Sequence, residues 1–147
     1  MLIQVRPYAP RDLEAAAAAV NAAARRAYAY FGWNQGTHVT RAWIAGDAKQ
    51  WTSTWVAEIS GHVAGFMALK DGFLDQLFIA PHWQARGLGH ALMQKAKSIH
   101  PHGLELHCAQ GNRPACRFYE RHDFVAIAHR IYRPAGIGDI VYRWPGH

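Results

Sequence analysis

Between residues 12 and 30 the chain is mostly alanine with a few larger side chains set among it, and later stretches alternate more sharply between apolar and polar positions. Alanine is the strongest helix former, and Asp12 stands where an N-cap residue belongs, so residues 12–30 are predicted as a helix. Before it, "LIQVRPY" reads as a short strand. Gly32 and Gly36 break the helix, and Thr37 is placed to cap a second one through "HVTRAWIAGDAKQ". Three strand-like runs follow. "TSTWVAEIS" and "HVAGFMALK" flank the hairpin signal Ser60-Gly61, and "FLDQLFI" follows a second turn at Asp71-Gly72. These three runs predict an antiparallel meander, which Pro81 ends.

A helix is predicted from about residue 87 to 99, with Leu88, Ala91, Leu92, Ala96 and Ile99 near one face. "GLELHCA" is the next strand, and the helix before it predicts a parallel pairing with its predecessor. Residues 113–121 form a short helix with Pro114 in its first turn. "FVAIAHRIY" and "DIVYRW" are the last strands, a hairpin around "RPAGIG". The order β-α-α-β-β-β-α-β-α-β-β is an α+β, sandwich-like pattern with a mixed central sheet of about seven strands and about four helices.

Composition narrows the class. The 147 residues suit one domain, 1–147, with a real core. No apolar run approaches the ~20 residues of a membrane span. The opening "MLIQVRPYAPRDLE" lacks the long apolar stretch of a secretory signal, so a cytoplasmic protein with no membrane partner is expected. Cys108 and Cys116 lack metal-type spacing and are expected to be reduced thiols. The net charge of +6 attracts anions in general, nucleic acid and phosphorylated cofactors included. The basic residues are scattered apart from pairs such as Arg25-Arg26, so no nucleic-acid partner is expected. Ten histidines raise the question of a metal. His100-Pro-His102 is too short and kinked to hold one, and no HExxH occurs, so no metal is expected.

The chemistry concentrates at "WQARGLGHAL", residues 83–92, where a strand enters and a helix leaves. Backbone N–H groups at a helix start have no internal partner, and with the helix dipole they form an anion site. Glycine permits positive φ and close approach of backbone to a phosphate. The stretch is neither a Walker loop nor a Rossmann fingerprint, and a GxG at a helix start is by itself equally compatible with an ordinary turn and cap. The neighbouring residues decide between these. Gln84, Gly87 and Gly89 match the Q/R-x-x-G-x-G/A loop, and Asn112, Ala115, Phe118, Tyr119, Glu120 and Phe124 match N-x-x-A-x-x-F-Y-E-x-x-x-F. In that order, separated by a helix and a strand, the two motifs resemble the GCN5-related N-acetyltransferase (GNAT) family over essentially the whole chain, the first 50 residues matching only in pattern.

That resemblance implies acetyl-CoA as co-substrate and a sheet splayed open between the fourth and fifth strands. It implies that the backbone of Leu77, Phe78 and Ile79 pairs with the pantetheine arm like an added strand. The loop Gln84, Ala85, Arg86, Gly87, Leu88, Gly89 and His90 would hold the pyrophosphate. Asn112 would bond the cofactor arm, Ala115 would leave it room, and Arg121 could meet a phosphate. Tyr119 matches the family's general acid, and its phenol is a donor at neutral pH.

Acetyl transfer to an amine needs a neutral amine, and a lysine-type amine titrates near ~10.4, so a base helps. The tetrahedral intermediate needs donors for its oxyanion, and the N–H of Ile79 or Phe78 is placed for this. Ribosomal-protein acetyltransferases carry Glu five residues before the motif Asn; here that position is His107. An imidazole suits a base near neutrality. Strand alternation puts it on the face of Glu105, opposite Leu104, Leu106 and Cys108. Glu58, Asp75 or a water chain are the other candidate bases. Asp75 is expected to share a strand face with Leu77 and Ile79, where an acid wants a reason. The family usually has Gly where this chain has Asp123, read here as a cap variant that tolerates positive φ.

In the family the segment between the first two helices and the last hairpin line the acceptor site. Here Tyr30, Phe31 and Trp33 form an aromatic cluster on a glycine-broken loop, and Phe31, Trp33 and Asp75 are the candidate acceptor-binding residues. The acceptor expected is a small-molecule or peptide amine, and the last strands are where a homodimer would form. Two rival readings remain from the sequence: a non-catalytic acyl-CoA-binding module on the same fold, and a basic nucleic-acid-binding domain.

Overall fold

A computed structural model describes residues 2–47, 50–132 and 137–147. Among these residues the chain forms strands β1 (Ile3–Pro7), β2 (Ser53–Ile59), β3 (His62–Lys70), β4 (Phe73–Ile79), β5 (Leu104–Ala109), β6 (Val125–Tyr132) and β7 (Ile137–Trp144). The helices are α1 (Leu13–Ala27), α2 (Thr37–Asp47), α3 (Leu88–Ile99) and α4 (Arg113–Arg121). The sheet order is β1-β2-β3-β4-β5-β7-β6. β1 to β4 are antiparallel, β5 lies parallel to β4, and β7 inserts antiparallel between β5 and β6. This is the expected α+β mixed sheet. The turn between the last two strands lies mostly at residues 133–136, outside the described residues.

Each face of the sheet carries its own core. Against one face, Ala16, Ala17 and Val20 of α1 and Ile44 of α2 meet Trp51, Val56, Phe66 and Ala68. The alanine run is therefore more than helix propensity: its methyl groups let α1 lie close to the sheet. Thr40 donates to Asn21 at 2.8 Å, a buried bond that joins α2 to α1. Against the other face, α3 buries Leu88, Leu92, Met93 and Ala96 over Leu104, Leu106 and Tyr142. The expected stripe on α3 is corrected at its end, since Ile99 is exposed and Met93 is fully buried instead.

The caps also differ from the sequence reading. Asp12 does stand at the N-cap of α1, but its carboxylate accepts from Arg6 and from the Ala9 N–H, each at 2.8 Å, not from the helix it precedes. Thr37 is the first helical residue of α2, and the Gly36 carbonyl accepts from Val39 and Thr40 in the cap position. Asp123 does adopt positive φ, +71°.

Lys97 is a buried cation on α3. Its ammonium donates to the His122 carbonyl at 2.7 Å and lies 4.7 Å from the Trp144 ring, and burial lowers its pKa. It pins the end of α4 to α3.

Candidate active site

The sheet is split between β4 and β5. Their register holds a single pair, Phe73 with Glu105, supported by a 3.0 Å bond from the Glu105 N–H to the Gly72 carbonyl. Beyond it the strands diverge, and residues 74–79 face a cavity of about 590 Å³. The far wall is His107, Cys108 and Asn112, with Ala115, Phe118 and Tyr119 of α4; Ala23, Ala27 and Tyr28 of α1 also line it. Leu77, Phe78 and Ile79 line this space, and the unpaired backbone groups of the edge are those of Leu77 and Ile79, because Ala80 bonds Ala64 of β3 and Phe78, two residues earlier, faces the same way.

One end of the cavity is the loop into α3. Ala85 and Gly87 both have positive φ, +61° and +92°, and Gly87 caps the helix. The first intrahelical bond is Ala91 N–H to the Gly87 carbonyl at 3.0 Å, so the N–H groups of residues 88–90 are open by helix geometry. The two glycines do different work. A Cβ on Gly87 would meet Ile3 at an ordinary 3.5 Å, so its glycine serves backbone conformation. A Cβ on Gly89 would lie 3.0 Å from the Phe118 ring, so its glycine serves packing of α4 on α3. Gln84 donates its amide to the Ile79 carbonyl at 3.0 Å and ties the loop to the end of β4. Arg86 lies over the Trp83 ring at 5.5 Å and, unlike the other residues of 84–90, does not line the cavity.

The wall opposite β4 holds the protic groups. Asn112 caps α4 through a 3.4 Å bond from the Ala115 N–H and also bonds the Tyr28 side chain. Burial pushes the Tyr28 phenol up to about 12. Tyr119 is buried among Phe118, Phe124 and Tyr142, and that burial, followed by nearby Cys108, Tyr28 and Cys116, raises its pKa further. Cys108 and Cys116 are free buried thiols with sulfurs 3.5 Å apart, and burial raises the Cys108 thiol.

His107 is held at the open side. Its ring meets the edge of Phe73 at 5.0 Å, its Nδ1 is 3.5 Å from Asp139, and Arg130 Nη2 lies 2.9 Å from Nε2 and 3.1 Å from Nδ1. The burial alternation on β5 is as expected, with Leu104, Leu106 and Cys108 turned in. Glu58 pairs with Arg6 at 2.7 Å on β2 and does not line the cavity, which removes it as a base.

Asp75 does line the cavity, but by a different route from the one strand alternation predicts. Ala68 pairs with Gln76 and Leu69 with Leu74, so Asp75 is the extra residue of a β-bulge. The bulge breaks the alternation with Leu77 and Ile79. The Asp75 carboxylate instead accepts from the Trp51 indole at 2.7 Å, toward the α1 and α2 core. Trp33 lines a second cavity of about 310 Å³ with Gln35, Thr40 and Trp43, which shares Tyr28 and Phe78 with the main one. The side chain of Phe31 lies outside what is described. Tyr30 packs its ring over Gly111.

Residues 20–124 match the family model of the acetyltransferase (GNAT) family. The chain belongs to that family. Within it, 71 residues are 44% identical to the peptidyl-lysine N-acetyltransferase YiaC of Escherichia coli K12, a match over 48% of each chain, so about half of that relative's length is spanned. Two solved structures show the same fold over nearly the whole chain. The apo form of YjaB from Escherichia coli superimposes with a TM-score of 0.79 at 20% identity, covering 100% of both chains. The PaiA N-acetyltransferase of Thermoplasma acidophilum, solved in complex with coenzyme A, gives 0.75 at 16% identity, covering 99% of both.

Among the cavity residues of this GNAT chain that escaped the sequence reading are Tyr28, Trp83 and His122. Tyr28 had a signal, because it continues the i, i+4 stripe of the buried Val20 and Ala24. Trp83 ends a one-turn 3-10 helix, Pro81–Trp83, and His122 sits in the turn after α4, both too short for periodicity to carry information.

Proposed function

We propose that this chain transfers the acetyl group of acetyl-CoA to a primary amine, with a lysine side chain as the favoured acceptor. The observation that carries the reading is the split between β4 and β5. An unpaired strand edge runs from a positive-φ loop at a helix N-terminus to a buried phenol, and this is the shape an extended, phosphate-ended thioester requires. The peptidyl-lysine relative supports the choice of acceptor.

When bound, acetyl-CoA supplies an acetyl group activated as a thioester. The chain's residues supply the rest. The open N–H groups of residues 88–90 receive the pyrophosphate, and Leu77 and Ile79 offer unpaired backbone to the pantetheine arm. The N–H of Ile79 donates to the carbonyl oxygen as negative charge develops on it. His107 takes the proton of the incoming ammonium, and Asp75 draws that cation into the cavity. Tyr119 would donate its hydroxyl proton to the departing sulfur and recover one from the amine nitrogen as the amide forms. The burial that keeps the phenol neutral also raises the basicity of a thiolate beside it, so donor and acceptor stay matched.

A screen of acetyl-CoA consumption over small amines, amino acids, peptide N-termini and lysine peptides tests this reading. Thiol release that depends on a primary amine, strongest with lysine peptides, is expected. Coenzyme A binding without amine-dependent release across the whole panel would leave only an acyl-CoA-binding module.

A further inference from the structure

The phosphate end of the cavity carries two imidazoles that the transfer chemistry does not use. His90 is in the first turn of α3 and His122 follows the last residue of α4. Both line the cavity, their ring centroids are 5.3 Å apart, and Phe118 holds the His122 ring at 4.4 Å. Arg121 lines the same end. Among the described lining residues the carboxylate is Asp75, on the β4 bulge near the start of that strand.

We propose that His90 and His122 form a two-imidazole clamp on a phosphate of coenzyme A, so that binding draws protons onto the protein and tightens as pH falls from about 8 to about 6. This rests on the acetyl-CoA reading given above. Without an anion the His122 ring resists protonation. Burial holds the His122 pKa below its usual value, and His90, Lys97 and Arg121 lower it further, with only Asp123 opposing them. His90 faces His122 and, within its own helix, the neutral Gln94 amide at 3.5 Å. A phosphate dianion between the rings reverses that balance, since each imidazolium then gains a charge-assisted bond. Lys97 is fixed on the His122 carbonyl and holds the ring's backbone in place.

Two phosphate groups could fill the clamp, the pyrophosphate or the 3′-phosphate monoester, and dephospho-coenzyme A lacks only the second. The direction of the effect separates the clamp from simple phosphate titration. A site that merely prefers the monoester dianion, whose second pKa is about 6, would expel a proton from the ligand and bind more weakly at low pH.

The test is titration calorimetry of coenzyme A into the wild-type chain from about pH 6 to about pH 8, in buffers of different ionisation enthalpy. Net proton uptake is expected, with an affinity gain of up to about tenfold per pH unit for each proton taken up. His122→Gln and His90→Gln should each reduce that uptake while still binding at pH 8. The same pH dependence with dephospho-coenzyme A assigns the clamp to the pyrophosphate, and its loss assigns it to the 3′-phosphate. Binding of coenzyme A with no proton uptake, or with proton release, overturns the clamp and leaves the acetyl-CoA reading standing. No binding at any pH overturns that reading and the clamp with it.

Discussion

Tyr119 is a neutral phenol because it has little access to water, and its nearest ionisable neighbours, Cys108, Tyr28 and Cys116, would all ionise to anions that oppose its own. A phenol that keeps its proton until the sulfur departs is what this step needs. Tyr119→Phe removes only the hydroxyl, so turnover should fall by about 10²–10⁴ while the coenzyme A dissociation constant stays within a few-fold. Unchanged turnover would take Tyr119 out of the mechanism. His107 must be unprotonated to accept a proton, so as the base it would give the kcat/KM profile an acidic limb. His107→Ala should lower the rate and abolish that acidic limb in the kcat/KM profile. A profile superimposable on the wild type would assign the base elsewhere, and Asp75 is then the cavity-lining carboxylate to substitute next.

At the scale of elements, the α3 loop depends on backbone shape and α4 depends on fit. Placing a side chain at the Gly87 φ of +92° costs about 1–2 kcal/mol even though the space is open. Gly89→Ala pushes on Phe118, and through it on the His122 ring. Differential scanning calorimetry should show both variants melting below the wild type. Much of this layer was legible in advance. The meander and the parallel β5 follow from turn residues and periodicity, which are local properties, and the positive φ at Asp123 from the glycine that the resembled family carries there. What was not legible depends on partners far along the chain. The bulge at Asp75 is set by how β3 and β4 pair, and the need for glycine at residue 89 is set by Phe118 on another helix. The insertion of β7 between β5 and β6 has no local signature at all. Trp33 is expected from the sequence to wall an acceptor site with Tyr30 and Phe31; it lines a second cavity with Trp43, a partner that nothing local to residues 30–33 indicates.

For the whole molecule, the split sheet makes stability and ligand binding one equilibrium. The strands on either side are joined at the single Phe73 and Glu105 pair, and coenzyme A held in the gap as proposed would bind the folded chain alone. Ligand at about 100-fold its dissociation constant should therefore stabilise the fold by about 2.7 kcal/mol, and Gly87→Glu should abolish that increment. Without ligand, His122 gives stability a pH dependence. The unfolded chain protonates this imidazole near its usual 6.5, whereas the folded chain does so only at lower pH. Its share of stability is therefore present above that value and lost as pH falls below it. Chemical denaturation of wild type and His122→Gln across this range should converge as the pH drops.

The account's central claim is acetyl transfer to an amine, and product balance tests it most directly. A lysine peptide, acetyl-CoA and the wild-type chain should yield free coenzyme A thiol and acetylated peptide in equal amounts, with Tyr119→Phe slowing both together. Thiol appearing without acetylated peptide, or neither appearing above the enzyme-free blank across the amine panel, would contradict it.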